Sequence, residues 1–173
     1  KFKVKDNDIM QSYYDYRRKE LKKHELKGLF LEVTSRCNAR CEHCGSSCGD
    51  FIPKDEITKE EIWSVLDDIA AHYNPRKIML FVTGGEPLVK KDLFEIMAYA
   101  TKLGFYWGMT TNGMLIDEKV VQKMAETDMK TVSVIGLGNR GTEYMGFIKG
   151  FHSRKMKITA LCDIRQQALD DIA

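Results

Sequence analysis

Four of the chain's five cysteines lie within twelve positions, between Cys37 and Cys48. Three of them, Cys37, Cys41 and Cys44, follow the spacing C-x3-C-x2-C. Three thiolates on one short loop can ligate three irons of a [4Fe–4S] cluster and leave the fourth iron open for chemistry. With Cys48 as a fourth ligand, the same loop could instead close a structural zinc site. In a reducing compartment, clustered cysteines bind metals or do redox chemistry more often than they form disulfides.

A second group of residues suited to chemistry is the turn TGGEPLV, which begins at Thr83. Gly84 and Gly85 have no Cβ, so they allow the backbone to approach a neighbouring group closely. Glu86 offers a negative charge to a cationic ligand. A further turn, TNG, carries Asn112 and follows a later apolar segment.

Strand-like and helix-like segments alternate along the chain, which indicates an α/β fold with parallel strands. The predicted strands are 29–33, 77–83, 105–110, 131–135 and 157–162, and the predicted helices are 13–26, 58–73, 90–104, 117–126 and one from about 142. The cysteine loop, GGEP and TNG follow the first three strands in turn. Since loops at the carboxyl edge of a parallel sheet carry function, we expect the three motifs to share one site.

Several finer predictions concern packing. The helix after the cysteine loop opens with the capping box Thr58 and Glu61. Its inward face is predicted to consist of Ile62, Leu66, Ile69 and Tyr73. The strand at 77–83 is almost wholly apolar, which predicts cover on both faces of the sheet. The expected architecture is an incomplete (β/α) partial barrel or open parallel sheet of about five strands with helices outside, and its concave face is expected to be under-covered.

The segment CNARCEHC, Cys37 to Cys44, resembles the signature C-x3-C-x-φ-C of the radical SAM superfamily, with His43 at the usually aromatic position φ. The GGEP turn resembles the family motif that contacts the amino group of S-adenosylmethionine. The resemblance implies a partial β/α barrel in which Cys37, Cys41 and Cys44 hold a [4Fe–4S] cluster. The open iron of that cluster is chelated by S-adenosylmethionine. The contacts to this cofactor that the resemblance implies are His43, Gly84, Gly85, Glu86, Pro87, Asn112 and Ser133.

A glycine pattern of another kind follows the fourth predicted strand. Gly136, Gly138 and Gly141 form G-x-G-x-x-G between a strand and a helix, and Asp163 ends the next strand. Residues 129–173 therefore resemble the first βαβ unit of Gfo/Idh/MocA oxidoreductases, in which these four residues contact a dinucleotide. So short a fragment is not expected to bind NAD(P) tightly.

Two resemblances in one chain lead to a hypothesis about its organisation. Residues 1–28 are predicted to be a helical lead-in, 29–134 a partial radical SAM core, and 129–173 a Rossmann-like βαβ fragment that continues the sheet. We hypothesise that two coding segments join near Met129 to Val134, which makes the chain a chimera.

The favoured function is that of a radical SAM enzyme, or its cofactor-binding fragment, which cleaves S-adenosylmethionine reductively to a 5′-deoxyadenosyl radical. The alternatives are an NAD(P)-dependent Gfo/Idh/MocA-type oxidoreductase fragment and a structural zinc-binding module. The expected partners are an electron donor and a small-molecule or peptide substrate that the sequence does not identify.

Charge and hydropathy limit the other partners. The formal net charge of +2 gives no case for nucleic acid or an anionic membrane surface. No apolar run approaches the roughly 18 residues of a membrane-spanning helix. The first 28 residues show no secretory leader, so a cytoplasmic location is expected.

Overall fold

The computed structural model describes residues 6–42, 44–45, 48, 56–135 and 157–162. The helices are α1 (Asp6–Lys23), α2 (Lys59–His72), α3 (Leu93–Leu103) and α4 (Glu118–Glu126), and the strands are β1 (Gly28–Glu32), β2 (Met79–Thr83), β3 (Tyr106–Thr111), β4 (Thr131–Ile135) and β5 (Lys157–Cys162). Short 3₁₀ turns lie at Pro75–Lys77 and Pro87–Val89. Among the helices of these ranges, none is both long and apolar enough to cross a membrane. The predicted order of elements is confirmed over these ranges.

The five strands form one parallel sheet in the order β1-β2-β3-β4-β5. Its register places Leu31, Val82, Met109 and Val132 in one row across the first four strands. Strand order that follows chain order is what successive βα units produce, because each helix returns the chain to the next strand's start. The α/β fold class and the addition of a fifth strand to the same sheet are therefore confirmed.

The helix boundaries follow from local chemistry. The Thr58 hydroxyl accepts the Glu61 N–H at 3.2 Å, and the Glu61 carboxylate accepts the Thr58 N–H at 2.8 Å, so the predicted capping box begins α2. Gly104 ends α3 with φ +103°, in the left-handed region that glycine adopts without strain. Asp117 caps α4 by accepting the Val120 N–H at 2.7 Å. These caps define the ends of the loops that lie between strand and helix.

The core lies on one side of the sheet, under α2, α3 and α4. Its strand residues are Leu31, Leu80, Val82, Trp107, Met109, Val132 and Val134, and its helix residues include Ile62, Leu66, Ile96, Met97, Val121 and Met124. Each such burial contributes about 1.5–3 kcal/mol, and a slip of one residue would turn every strand side chain to the other face. The prediction for Tyr73 is wrong: it is 48% exposed, because α2 ends at His72 and Tyr73 has an extended backbone.

The opposite side of the sheet carries exposed aromatic side chains. Phe30 is 78% exposed, Phe81 41% and Tyr106 44%. The rings of Phe30 and Phe81 contact each other with centroids 5.1 Å apart. The prediction that β2 is covered on both faces is therefore wrong, since alternate residues of this strand reach an open face. The under-covered face expected of a partial barrel is present.

Candidate metal and cofactor site

The turns that follow β1, β2 and β3 lie together at the carboxyl edge of the sheet. They meet at Glu86, whose side chain is 0% exposed although it is ionisable. Its Oε1 accepts hydrogen bonds from the Thr111 hydroxyl at 2.7 Å and from the Leu88 N–H at 3.1 Å. Its Oε2 accepts the Asn112 N–H at 2.7 Å. The carboxylate thereby fastens the GGEP turn to the end of β3.

Opposing effects act on the pKa of Glu86. Burial raises it, because the charged form loses its solvation, whereas the hydrogen bonds from Asn112, Thr111 and Leu88 lower it. Burial prevails, so the pKa of Glu86 lies above the ordinary value of a glutamic acid. A cation placed beside this carboxylate would lower the pKa again, because it favours the charged form.

Asn112 connects the same carboxylate to the cysteine loop. Its side-chain Nδ2 donates to Asn38 Oδ1 at 2.8 Å and lies 3.9 Å from Cys37 Sγ. Its Oδ1 accepts the Met114 N–H at 3.0 Å, which shapes the turn after β3. The structure thus brings Cys37, Glu86 and Asn112, one residue from each predicted motif, into one network.

Gly84 and Gly85 pack against the backbone at the start of the cysteine loop. A Cβ on Gly84 would lie 2.3 Å from the Thr34 carbonyl oxygen, and a Cβ on Gly85 would lie 2.3 Å from that of Arg36. The N–H groups of Gly85 and Glu86 donate to these same oxygens at 2.8 and 2.9 Å. The close approach that the glycines permit is therefore to the chain's own backbone. Their contact with a ligand stays a prediction.

The cysteine loop presents its thiols unevenly. Cys37 is half-buried, whereas Cys41 and Cys44 are exposed. The Cys44 N–H donates to the Cys41 carbonyl oxygen at 3.1 Å, and the Ala39 N–H donates to Cys37 Sγ at 3.4 Å. Together with Cys48, these cysteines form no disulfide within the part of the chain that the structure describes.

The donor set fits an iron–sulfur cluster in residue type and in place. Three thiols on one loop at the carboxyl edge of the sheet are what such a cluster requires. The thiols are not gathered in space as a cluster requires: over the described residues, no three His, Cys, Asp or Glu side chains lie close enough together to hold a metal ion. Because metal binding couples ligand deprotonation to assembly of the site, ligation by all three cysteines would require their thiols to come together.

The two ends of the cysteine loop are joined by a polar network that no sequence motif indicates. Glu56 Oε1 accepts from the Thr34 hydroxyl and, at 3.3 Å, from Arg36 Nε, and Glu56 Oε2 accepts from an Arg36 terminal nitrogen at 2.5 Å. Burial raises the pKa of Glu56, but the hydrogen bonds from Thr34 and Arg36 and the charges of Arg36 and Lys90 prevail and hold it below its ordinary value. Because Arg36 and Glu56 are 20 residues apart in sequence, no local sequence pattern predicts their contact.

Of the remaining predicted site residues, Pro87 lies next to Glu86, Ser133 lies on β4, and the others lie outside the described ranges. Pro87 is buried and begins the 3₁₀ turn Pro87–Val89. Ser133 pairs in register with Thr110, one strand farther from the GGEP turn. The predicted residues that lie outside the described ranges are His43, Gly136, Gly138, Gly141 and Asp163.

A parallel α/β sheet that gathers a three-cysteine loop and a glycine–acid turn at its carboxyl edge is typical of metal-dependent enzymes. A model of the Radical SAM superfamily matches residues 31–138, and the chain belongs to that superfamily. Members of this enzyme family bind a [4Fe–4S] cluster and S-adenosylmethionine.

Curated relatives match only part of their own length. Fe-coproporphyrin III synthase of Methanosarcina barkeri (strain Fusaro / DSM 804) is 38% identical over 110 residues, which cover 64% of this chain and 27% of the relative. Mycofactocin maturase MftC of Mycolicibacterium smegmatis (strain ATCC 700084 / mc(2)155) is 30% identical over 146 residues, covering 83% of this chain and 35% of the relative. The chain thus spans about a third of the length of the curated relatives that it matches.

Solved structures share the fold. SuiB of Streptococcus suis bound to S-adenosylmethionine aligns with a TM-score of 0.68 at 15% identity, over 99% of this chain and 44% of that chain. BtrN in complex with AdoMet and 2-DOIA aligns with a TM-score of 0.65 at 19% identity, over 79% of this chain and 56% of that chain. The comparisons lend no support to the second resemblance, to Gfo/Idh/MocA oxidoreductases, or to a chimera built on it.

Proposed function

We propose that this chain is the cofactor-binding part of a radical SAM enzyme. Cys37, Cys41 and Cys44 hold a [4Fe–4S] cluster, and S-adenosylmethionine binds beside the turn from Gly84 to Pro87. When bound, the reduced cluster supplies one electron that breaks the sulfonium bond of S-adenosylmethionine and yields methionine and a 5′-deoxyadenosyl radical. The chain's own residues bind, orient and shield these groups.

One observation carries the proposal: the motifs after three successive strands are hydrogen-bonded to one another through Glu86 and Asn112. The buried Glu86 carboxylate joins the GGEP and TNG turns, and the Asn112 side chain joins them to Asn38 of the cysteine loop. Membership of the superfamily supports the identity of the cluster and of its ligand.

Glu86 is the carboxylate that would receive the ammonium of a bound amino acid moiety, and because it is 0% exposed the surrounding turns have to move to admit that ammonium. Among the described residues, its Oε2 accepts the Asn112 N–H, and a carboxylate oxygen has room for a second donor. Because the side chain is buried, an ion pair formed there is less weakened by water than one at the surface. Glu86 therefore orients the ligand while holding the GGEP turn in place.

Relatives indicate the class of substrate to seek. One matched relative is the PqqA peptide cyclase of Granulibacter bethesdensis (strain ATCC BAA-1260 / CGDNIH1), and another is the GTP 3′,8-cyclase of Staphylococcus carnosus (strain TM300). A peptide or a small molecule as substrate, and a separate reductant for the cluster, accord with these names. The proposed organisation is a partial core at residues 29–134, preceded by a lead-in at 1–28 and followed by residues that extend the sheet. The proposed location of the protein is the cytoplasm.

The test is release of 5′-deoxyadenosine from S-adenosylmethionine by the anaerobically reconstituted protein with a strong reductant. The wild-type chain and Cys48→Ala release it, whereas Cys41→Ala does not. Cys48→Ala is the matched control, because it removes a thiol from the same loop but none from the C-x3-C-x2-C set. A colourless wild-type protein that holds zinc and releases no 5′-deoxyadenosine would contradict the proposal.

A further inference from the structure

The loop that carries the cysteines leaves β1 and returns to α2, and its two ends are joined by side chains. Thr34 and Arg36 stand at the start, and Glu56 stands two residues before the N-cap of α2. The Arg36 guanidinium contacts both oxygens of the Glu56 carboxylate, and the Thr34 hydroxyl donates to one of them. A bidentate ion pair of this kind fixes the relative orientation of the two side chains as well as their separation.

A second link joins the same end of the loop to the residues that follow GGEP. Lys90 is buried, with 6% of its surface exposed, and its Nζ donates to the Ile57 carbonyl oxygen at 2.9 Å. It also forms an ion pair with Asp92 at 3.5 Å. A lysine is rarely buried unless it is paired, and here its charge acts on Glu56.

The backbone of the same residues supports the glycine turn. The carbonyl oxygens of Thr34 and Arg36 accept the N–H groups of Gly85 and Glu86. Thr34 and Arg36 therefore hold Glu56 with their side chains and the GGEP turn with their carbonyl groups. Both residues therefore contact Glu56 and the GGEP turn at once.

We propose that Glu56, together with Thr34, Arg36 and Lys90, forms a latch that closes the cysteine loop onto the GGEP turn. Glu56 is a positioning residue in this arrangement, since it acts on the cluster site through Arg36 and Thr34. This inference rests on the proposed function, because it concerns retention of the cluster by the loop. Opening the latch lets the loop ends separate, so the loop must lose more freedom each time it gathers three thiolates.

The experiment compares wild type, Glu56→Gln, Arg36→Gln and the double variant after anaerobic reconstitution. Glu56→Gln preserves shape but removes the charge that the guanidinium binds. Glu60→Gln, on the exposed first turn of α2, is the matched control. Two quantities are measured: the rate at which a chelator removes iron, and amide hydrogen exchange of Gly85 and Glu86 in the iron-free chain.

Glu56→Gln is expected to lose iron roughly tenfold faster than wild type, the scale of one lost charged hydrogen-bond network. The amides of Gly85 and Glu86 exchange faster in the same variant, while Glu60→Gln matches wild type. The double variant loses iron no faster than Glu56→Gln alone, because Arg36 and Glu56 act through each other.

Two failures are distinguishable. If wild type takes up iron and Glu56→Gln retains it equally well, with unchanged exchange of both amides, the latch is overturned and the proposed function stands. If folded wild type takes up no iron, the proposed function fails, and the inference about cluster retention falls with it.

Discussion

The ionisable side chain of Glu86 lies in the interior of the protein, where its carboxylate oxygens accept hydrogen bonds. The Thr111 hydroxyl and the N–H groups of Leu88 and Asn112 donate to its two oxygens. Removing one partner of a buried hydrogen bond costs about 1–3 kcal/mol, so the side chain has a structural task besides the ligand-binding role proposed for it. Its carboxylate sits where the two turns join.

The raised pKa of Glu86 predicts how stability depends on pH. Between the ordinary pKa, about 4.3, and the higher pKa in the folded chain, the folded state binds more protons than the unfolded state. The contribution of Glu86 to the free energy of unfolding therefore decreases as pH rises through this window and is constant above it. Glu86→Gln does not titrate, so it lacks this slope.

The difference in pH dependence is measured by urea unfolding of iron-free wild type and Glu86→Gln over a range of about pH 4 to 7, which begins near the ordinary pKa of a glutamic acid. Glu126→Gln, which alters an exposed carboxylate at the end of α4 that pairs with Gln122, is the control. A wild-type advantage that grows with rising pH across this window would contradict the raised pKa.

At the scale of the elements, the strand ends are positioned by contact between two turns. The GGEP turn lies so close to the start of the cysteine loop that Gly85 has no room for a side chain, since its Cβ would meet Arg36 backbone atoms at 2.3 and 2.6 Å. Backbone cannot rotate away as a flexible side chain can. The two turns therefore fit only with a glycine at this position.

Gly85→Ala is expected to lower the free energy of unfolding by about 1–3 kcal/mol, the usual range for overpacking. It also weakens the hydrogen bonds that Thr34 and Arg36 accept. Gly45→Ala, in the cysteine loop that the GGEP turn contacts, has no atom within 4 Å of the added carbon and serves as the control. Chemical denaturation of the iron-free variants checks this, and equal stability of Gly85→Ala and wild type would contradict the packing.

Sequence patterns predict the order of the elements within the described ranges, although the first helix lies at Asp6–Lys23 rather than at 13–26 and the helix predicted from about 142 lies outside those ranges. The capping box at Thr58 and Glu61 and the glycine stop at Gly104 are local, so they could be predicted from neighbouring residues. The Glu56 network could not, because its partners come from separate parts of the chain. The sequence predicts that Gly85 allows a close approach, but the approach to the Arg36 backbone is a tertiary contact that no spacing reveals.

At the scale of the whole molecule, the sheet is asymmetric. One face is buried under three helices, and the other exposes Phe30, Phe81 and Tyr106. The alternation of strand side chains was missed in β2 because Phe81 is as apolar as its buried neighbours Leu80 and Val82. Periodicity identifies a face only when its residues differ in polarity.

The exposed aromatic pair, Phe30 and Phe81, is expected to promote self-association. Replacing Phe30 by Ser is expected to reduce concentration-dependent association and binding of a hydrophobic dye, because it removes the most exposed ring of the face. Tyr16→Ser, at an exposed ring of α1, is the control. Sedimentation across a concentration series checks the result. Association that is unchanged in Phe30→Ser but lost in Tyr16→Ser would contradict the prediction that this face of the sheet mediates it.

Iron content after anaerobic reconstitution tests the central claim most directly, that three thiolates of one loop hold an iron–sulfur cluster. The wild-type chain and Cys48→Ala are expected to bind about four irons and four sulfides per chain and to be brown. Cys37→Ala, Cys41→Ala and Cys44→Ala each lose this colour while remaining folded by circular dichroism. A folded wild-type chain that takes up no iron, or a Cys41→Ala variant that binds as much as wild type, would contradict the claim.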